Sequence, residues 1–334
     1  MLGYQAGYLV IVGYFMQSSR YPYAWFVAGF LSPLVWATTY GKIDNAFSYA
    51  TFRYLETTAG IVIYTVVCAI IWPRTAGDAL NRQGRDFWQV MVERYGLELD
   101  VVGGALDNIP ETGPVIVVAN HPYGILDGLM LGHILSERRG DFRILAHRVF
   151  KQAEEIDRVI LPVSFEESKE AVALNLETRK DALNYLAEGG CIGVFPGGTV
   201  STAAHPFGRP MDPIWRAFTA KMVARSDATV VPIYFDGANS RLFQLASHLH
   251  STLRMGLLIR EFRARMGAPV RVVVGAPVAR EKLQPYLRDP KKMMDFLRRE
   301  TYSLSPTPVA NFDHGYEFEV KHGAKPRKGL KDRY

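Results

Sequence analysis

No stretch of this chain constrains its fold more than Pro114-Val-Ile-Val-Val-Ala-Asn120-His121-Pro122-Tyr-Gly124-Ile-Leu-Asp127-Gly128. Val115 to Ala119 is an unbroken apolar run of the length expected for a strand buried on both faces. Asn-His-Pro and Gly124 then interrupt it, and such residues end strands and form turns. The next apolar run, Leu129 to Leu135, reads as a helix. Strand, short loop and helix make an α/β unit, and open α/β sheets gather their sites at the carboxyl ends of strands. His121 and Asp127 flank the loop. On one continuous helix their six-residue step would turn them through about 600°, leaving them facing apart. A loop through Pro122 and Gly124 instead lets the carboxylate fold back onto the imidazole. The pair would then be an oriented, neutral base able to take a proton from a hydroxyl. The residues alone also allow a plainer reading, in which Asp127 only caps the helix and His121 only ends the loop.

Similar alternation continues downstream. Leu97 to Val102 reads as a strand closed by a Gly-Gly turn, and Arg82 to Tyr95 as a helix before it. Further strands are expected at Arg143–Ala146, Ile160–Val163, Cys191–Phe195, Val230–Phe235 and Val270–Val274, with helices at 174–188, 215–223 and 283–304, the last broken at Pro290. The fold class is therefore α/β, with a mostly parallel central sheet flanked by helices. Three further clusters carry chemistry. Arg148 and Lys151 lie three apart and could share one helical face toward an anionic head group, or form a solvated basic face. Phe195-Pro196-Gly197-Gly198-Thr199 and Ser201 form a turn whose N–H groups and hydroxyls could hold a polar group, or a plain strand-to-turn junction. Pro232 interrupts an apolar strand.

Taken together and in this order, Asn120-His121 with Asp127, the basic Arg148/Lys151 segment, Phe195-Pro196-Gly197-Gly198-Thr199 and the Pro232 strand resemble the four sequence blocks of the phospholipid/glycerol acyltransferase family. The spacing Asn-His-Pro-x-Gly-x-Leu-Asp-Gly is that of a bacterial branch acting on lysophospholipids or lyso-ornithine lipid. The resemblance covers about residues 85–305. It implies a His121/Asp127 catalytic dyad, with Asn120, Gly124, Arg148, Lys151, Phe195, Pro196, Gly197, Gly198, Thr199, Ser201 and Pro232 around the substrate. Gly197 stands where the family carries an acceptor-binding glutamate, so the usual glycerol phosphate acceptors are not implied.

The first 72 residues are far more apolar than the rest. Residues 2–16, 21–38 and 57–72 are three runs near the length of a membrane span, with Tyr21, Tyr23, Trp25, Trp36 and Trp72 near their ends. Buried core helices are the alternative. Arg-Tyr-Pro-Tyr-Ala-Trp-Phe-Val-Ala-Gly, Phe52–Gly60 and Trp72-Pro73 resemble the membrane part of the fusaric-acid-resistance efflux family over residues 1–80. Three divisions follow: a hydrophobic membrane-associated segment at 1–80, an acyltransferase domain at 81–305, and a basic, flexible tail at 306–334.

A net charge of +6 suits an anionic bilayer or an acidic carrier protein, and there is no nucleic-acid motif. Two cysteines, far apart in apolar contexts, make no disulfide framework, and no phosphate loop, dinucleotide fingerprint or metal cluster calls for a cofactor. The resemblance implies acyl transfer from acyl-ACP or acyl-CoA to a lysolipid hydroxyl, at the inner membrane with the catalytic domain on the cytoplasmic side. The reading from another class is a non-catalytic membrane or transport component built on residues 1–80.

Overall fold

The computed structural model describes residues 87–148, 154–164 and 168–317, so the readings made for residues 1–80, for Lys151 and for the chain beyond 317 lie outside the described residues. In chain order the elements are α1 (Phe87–Arg94), β1 (Glu98–Gly104), β2 (Val115–Ala119), α2 (Ile125–Arg139), β3 (Arg143–His147), α3 (Glu154–Asp157), β4 (Ile160–Val163), α4 (Lys169–Ala187) and β5 (Cys191–Val194). There follow β6 (Thr202–Ala203), β7 (Pro210–Met211), α5 (Ala217–Arg225), β8 (Thr229–Phe235), α6 (Arg241–Leu249), α7 (Ser251–Ala264), β9 (Pro269–Val274), α8 (Arg280–Leu283) and α9 (Pro290–Ser303).

Seven strands form one sheet in the order β1-β9-β8-β2-β5-β3-β4. β2 runs parallel to both neighbours, β5 and β8, and β3 runs parallel to β5 and β4. β9 is antiparallel to β8 and carries β1 parallel to itself, so the sheet is mostly parallel with a reversed edge pair. β2 is the strand to which the others are fitted: all five of its residues are fully buried. Its alternation serves two layers. Ile116 and Val118 join a core with Ala182 and Leu186 of α4, Met222 of α5 and Leu297 of α9. Val117 pairs with Gly193 of β5, and Gly193 lies directly beneath Leu131 and Leu135 of α2 on the opposite face. Burying each such aliphatic side chain is worth about 1.5–3 kcal/mol, which is why a run without a polar face is confined to the centre.

The expected strands all form, and most of the expected helices differ only at their ends. α4 begins at Lys169, five residues ahead of the expected start, because the Ser168 side chain caps it by accepting the Ala171 N–H at 3.0 Å. The break at Pro290 is the start of α9, capped by Asp289. Gly103 and Gly104, expected as a turn, are instead the last residues of β1, where pairing with β9 skips one position. The small β6–β7 hairpin and the helix pair α6–α7 carry no expectation from the sequence. Among the described residues no helix is long and apolar enough to cross a membrane.

One crossing matters for the site. β5 and β8 lie on opposite sides of β2, and the chain between them, residues 195–228, meets the loop at the carboxyl end of β2, where Ser201 N–H donates to the His121 carbonyl. The first described part of the C-terminal segment is held against that same loop. Gly315 N–H donates to the Asp212 carbonyl at 2.9 Å and Tyr316 N–H to the Thr202 carbonyl at 3.0 Å.

Candidate active site

β2, β5 and β8 point their carboxyl ends to one edge, and His121 follows β2 there. Gly124 adopts φ +90° as the N-cap of α2, which begins at Ile125. The step from His121 to Asp127 is thus divided into a three-residue loop and the first helical turn. Asp127 is fully buried; one carboxylate oxygen accepts the Tyr123 N–H at 2.9 Å and the other accepts the Gly128 N–H at 3.0 Å. That second oxygen lies 3.1 Å from His121 Nδ1. The plainer reading of Asp127 as the cap of the helix is not met: Gly124 is the N-cap, and Asp127, inside the first turn of α2, ties back the loop through the Tyr123 N–H and meets the imidazole. The distance is that of a hydrogen bond, but the ring N–H is not aligned with the oxygen and Nδ1 has no formed bond. Unliganded catalytic pairs are commonly skewed in this way and straighten when substrate binds.

His121 is held on three further sides. Its N–H donates to an Asp212 carboxylate oxygen at 3.1 Å, its carbonyl accepts the Ser201 N–H at 2.7 Å, and its ring stacks on Phe195 with centroids 4.3 Å apart. The side chain keeps 18% exposure, and with Nδ1 turned to Asp127 it is Nε2 that remains for a substrate. Burial alone pushes the imidazole pKa down. The Asp127 carboxylate, helped by Asp212 and opposed by Arg254, outweighs it and holds the pKa above the ordinary histidine value.

Asp212 and Arg254 went unremarked in the sequence, and both are central. Asp212 is fully buried. Besides the His121 N–H it accepts the Ser201 hydroxyl through a short bond and the Trp215 indole N–H at 2.8 Å. Its own N–H donates to the Tyr302 hydroxyl at 2.7 Å, and its carbonyl accepts from Arg298 at 3.1 Å. A lone acid among Pro210, Met211, Pro213, Ile214 and Trp215 was the available signal, since an apolar context makes an acid buried and bonded or costly. Arg254, on α7, donates to the Thr199 and Thr202 hydroxyls, to Ser247 Oγ and to the Val200 carbonyl at 2.6–3.2 Å. Desolvation lowers its pKa to about 10, which leaves it charged at neutral pH. No local pattern distinguishes this arginine from a surface one.

The other sequence-predicted residues divide into those at the dyad and those away from it. Phe195, Gly198, Thr199 and Ser201 form the loop against the end of β2, with Gly198 at φ +69° closing the turn to the Phe195 carbonyl. Pro196 carries the Arg216 N–H on its carbonyl. Gly197 lies against the Asp212 loop: a Cβ there would stand in van der Waals contact, 3.4 Å from the Asp212 carboxylate and from Pro213. Asn120 adjoins His121, but its carboxamide is spent on the Phe235 backbone, accepting at 2.7 Å and donating at 3.0 Å, so it clamps β2 to β8. Pro232 is buried within β8 opposite Val118, and its carbonyl accepts the Gly275 N–H just beyond the end of β9, where the proline's missing N–H disrupts no ladder. Arg148 is exposed after β3, with β5 lying between that strand and β2. Cys191 is buried in β5 and its thiol is pushed up to about 12, so it is no nucleophile.

Gly124 gives a direct check on this loop. Its φ of +90° disfavours any other residue, and a Cβ would come within 2.8 Å of Val200 and 3.0 Å of Leu258. Gly124→Ala should destabilise the fold by about 1–3 kcal/mol, read as a lower urea midpoint with an unchanged slope.

Comparison with known proteins agrees with the motif order. The family model described as "Acyltransferase" matches residues 79–310. A lyso-glycine lipid O-acyltransferase of Phocaeicola vulgatus is 28% identical over 167 residues, covering 50% of this chain and 57% of that protein. Its counterpart in Bacteroides thetaiotaomicron is 25% identical over 175 residues, covering 50% and 58%. The matched regions thus span under two thirds of either relative. The 1-acyl-sn-glycerophosphate (LPA) acyltransferase of Thermotoga maritima aligns over 86% of this chain and 95% of its own at 16% identity and a TM-score of 0.37, and the fold assignment rests on the strand order instead. The family match begins at residue 79 and lends nothing to the efflux-protein resemblance of residues 1–80. With its model match running from 79 to 310, through the His121/Asp127 loop and the segment that lies against it, the chain belongs to the acyltransferase family.

Proposed function

We propose that this protein transfers a fatty acyl group from a thioester, acyl-CoA or acyl-ACP, to the hydroxyl of a lysolipid, with a lyso-aminolipid as the favoured acceptor. The observation that carries the reading is the 3.1 Å approach of the buried Asp127 carboxylate to His121 Nδ1 at the carboxyl end of β2. Asp127 holds the proton on Nδ1, so Nε2 presents its lone pair. Nε2 takes the hydroxyl proton as the acceptor oxygen attacks the thioester carbonyl. The carbon–sulfur bond then breaks, and the thiolate leaves with the proton that His121 returns. No acyl-enzyme is required, in keeping with a Cys191 thiol too basic to attack. The lyso-aminolipid acceptor is supported by the names of both bacterial relatives and by the glycine at position 197. We place the reaction at the cytoplasmic face of the inner membrane, with residues 1–80 as its anchor.

The test is thiol release by the purified full chain, from acyl-CoA and from acyl-ACP, against lyso-glycine lipid, lyso-ornithine lipid and lysophosphatidic acid. Turnover with a lyso-aminolipid is expected. Silence with every donor and acceptor would return the chain to the non-catalytic membrane reading.

The raised His121 pKa has a pH consequence. A base is competent only when neutral, so kcat/KM should fall on the acid side of a pKa above 6.5. Asp127→Asn removes the largest group raising that pKa and leaves burial, the largest cause of all, and Arg254 to lower it, with only Asp212 to oppose them. The acid limb should therefore move to lower pH while the plateau rate falls. An unmoved limb would mean that the titrating group is not His121.

A further inference from the structure

The helix pair α6–α7 and the β6–β7 hairpin present apolar side chains to solvent where the core does not need them. Phe207 at the hairpin tip is 80% exposed, Leu249 at the end of α6 is 71% exposed and Leu253 at the start of α7 is 53% exposed, with Leu242 and Met255 also exposed. These are neighbours. Arg241, beside Leu242, donates to the Gly208 carbonyl next to Phe207 at 2.7 Å, and Leu249 and Leu253 straddle the joint between the two helices. Isolated exposed leucines are ordinary, but Phe207 beside Leu242 and Leu249 beside Leu253 gather four large apolar side chains on one hairpin and one helix pair, and such gatherings mark interaction sites; Met255, two residues from Leu253, faces another side of α7.

The charge around the patch selects its partner. Residues 241–264 hold four arginines against one glutamate, Glu261, and that glutamate is buried on Ser240. Arg241, Arg260 and Arg263 are exposed, and Arg260 lies seven residues from Leu253 on the outward face of α7. Apolar side chains rimmed by arginine with no exposed acid are the composition of an interfacial helix on anionic lipid. The patch also adjoins the dyad. α7 carries Arg254 to Thr199 and packs Leu258 against Gly124, three residues from His121. We propose that α6–α7 with the Phe207 hairpin is a docking surface for an anionic bilayer, separate from residues 1–80, which holds the mouth of the site at the lipid surface. The purpose rests on the lysolipid reading above; the geometry does not.

Residues 1–80 would bind vesicles by themselves, so the test reads depth at chosen positions of the full chain. In a Cys68→Ser background a single environment-sensitive label is attached at Leu249→Cys or Leu253→Cys, and at Leu176→Cys on α4 as an equally exposed control; Cys191 is buried and takes no label. Vesicles contain equal phosphatidylglycerol and phosphatidylcholine, the latter brominated in its acyl chains. Quenching at 249 and 253 but not at 176 is expected. Equal quenching at all three, or none at 249 and 253, overturns the surface, and protection there without quenching would assign the patch to another part of the chain. As a second arm, Leu249→Asp/Leu253→Asp should cost about 10-fold per leucine in turnover of a vesicle-borne acceptor, while a short-chain monomeric acceptor is turned over as by wild type. Equal loss on both acceptors would overturn the docking role. Quenching in a protein that transfers no acyl group to any acceptor would keep the surface and remove the catalytic reading.

Discussion

His121→Ala should lower thiol release by about 10²–10⁴-fold with little change in stability, because the substitution removes the proposed general base and leaves the loop that carries it intact. The imidazole is 18% exposed and stacks on Phe195, but the backbone bonds that fix the loop do not involve its ring. Its N–H donates to Asp212 and its carbonyl accepts from Ser201, and both survive the substitution. The loss should fall in kcat more than in KM, since the base acts on a proton in flight rather than on the bound ground state. Chain melting within a few degrees of wild type alongside that loss would separate chemistry from folding. A variant that retains most of its turnover would leave His121 as a loop residue and Asp127 as the carboxylate that ties the loop to α2.

Asp212→Ala carries the opposite signature, with a stability loss of about 3–5 kcal/mol. The carboxylate accepts the His121 N–H, the Ser201 hydroxyl and the Trp215 indole N–H, and it is fully buried. Its removal strands three donors where water does not reach, at about 1–3 kcal/mol each before the surroundings relax. Urea midpoints of the two variants should diverge: near wild type for His121→Ala, far below it for Asp212→Ala. Tyr302→Phe offers a graded comparison. It removes only the hydroxyl that accepts the Asp212 N–H, so the cost should be nearer 1 kcal/mol. If Asp212→Ala melted like wild type, water would be reaching the loop and the buried bonds of Asp212 would not be what holds it.

These two residues mark how far the sequence could be read. His121 and Asp127 were legible because a run of β-branched residues, a Pro-Gly loop and a six-residue step are local facts, and local facts determine where a strand must end and a helix begin. Asp212 acts on His121 from 91 positions away. Its role depends on the segment after β5 lying against the end of β2, a placement that strand order alone does not dictate. The glycine at 197 shows the same division. Its identity was plain in the sequence, whereas the carboxylate beside it, 3.4 Å from where a Cβ would stand, comes from a residue fifteen positions on.

Asn120 shows the limit from the other side: the family resemblance implied substrate contact, and the backbone of Phe235 takes both ends of its carboxamide. By itself the sequence determined the strand-loop-helix unit, the loop's place at the carboxyl end of its strand, the candidate dyad and a mostly parallel α/β fold. Periodicity and turn chemistry act over a few residues and survive without knowledge of neighbours. Which buried polar groups meet across the loop, and that the helix pair beside it leaves leucines in solvent, were decided only in the tertiary structure. A hydrogen bond or an exposed face is a relation between distant segments, and its energy exists only once the sheet has brought those segments together.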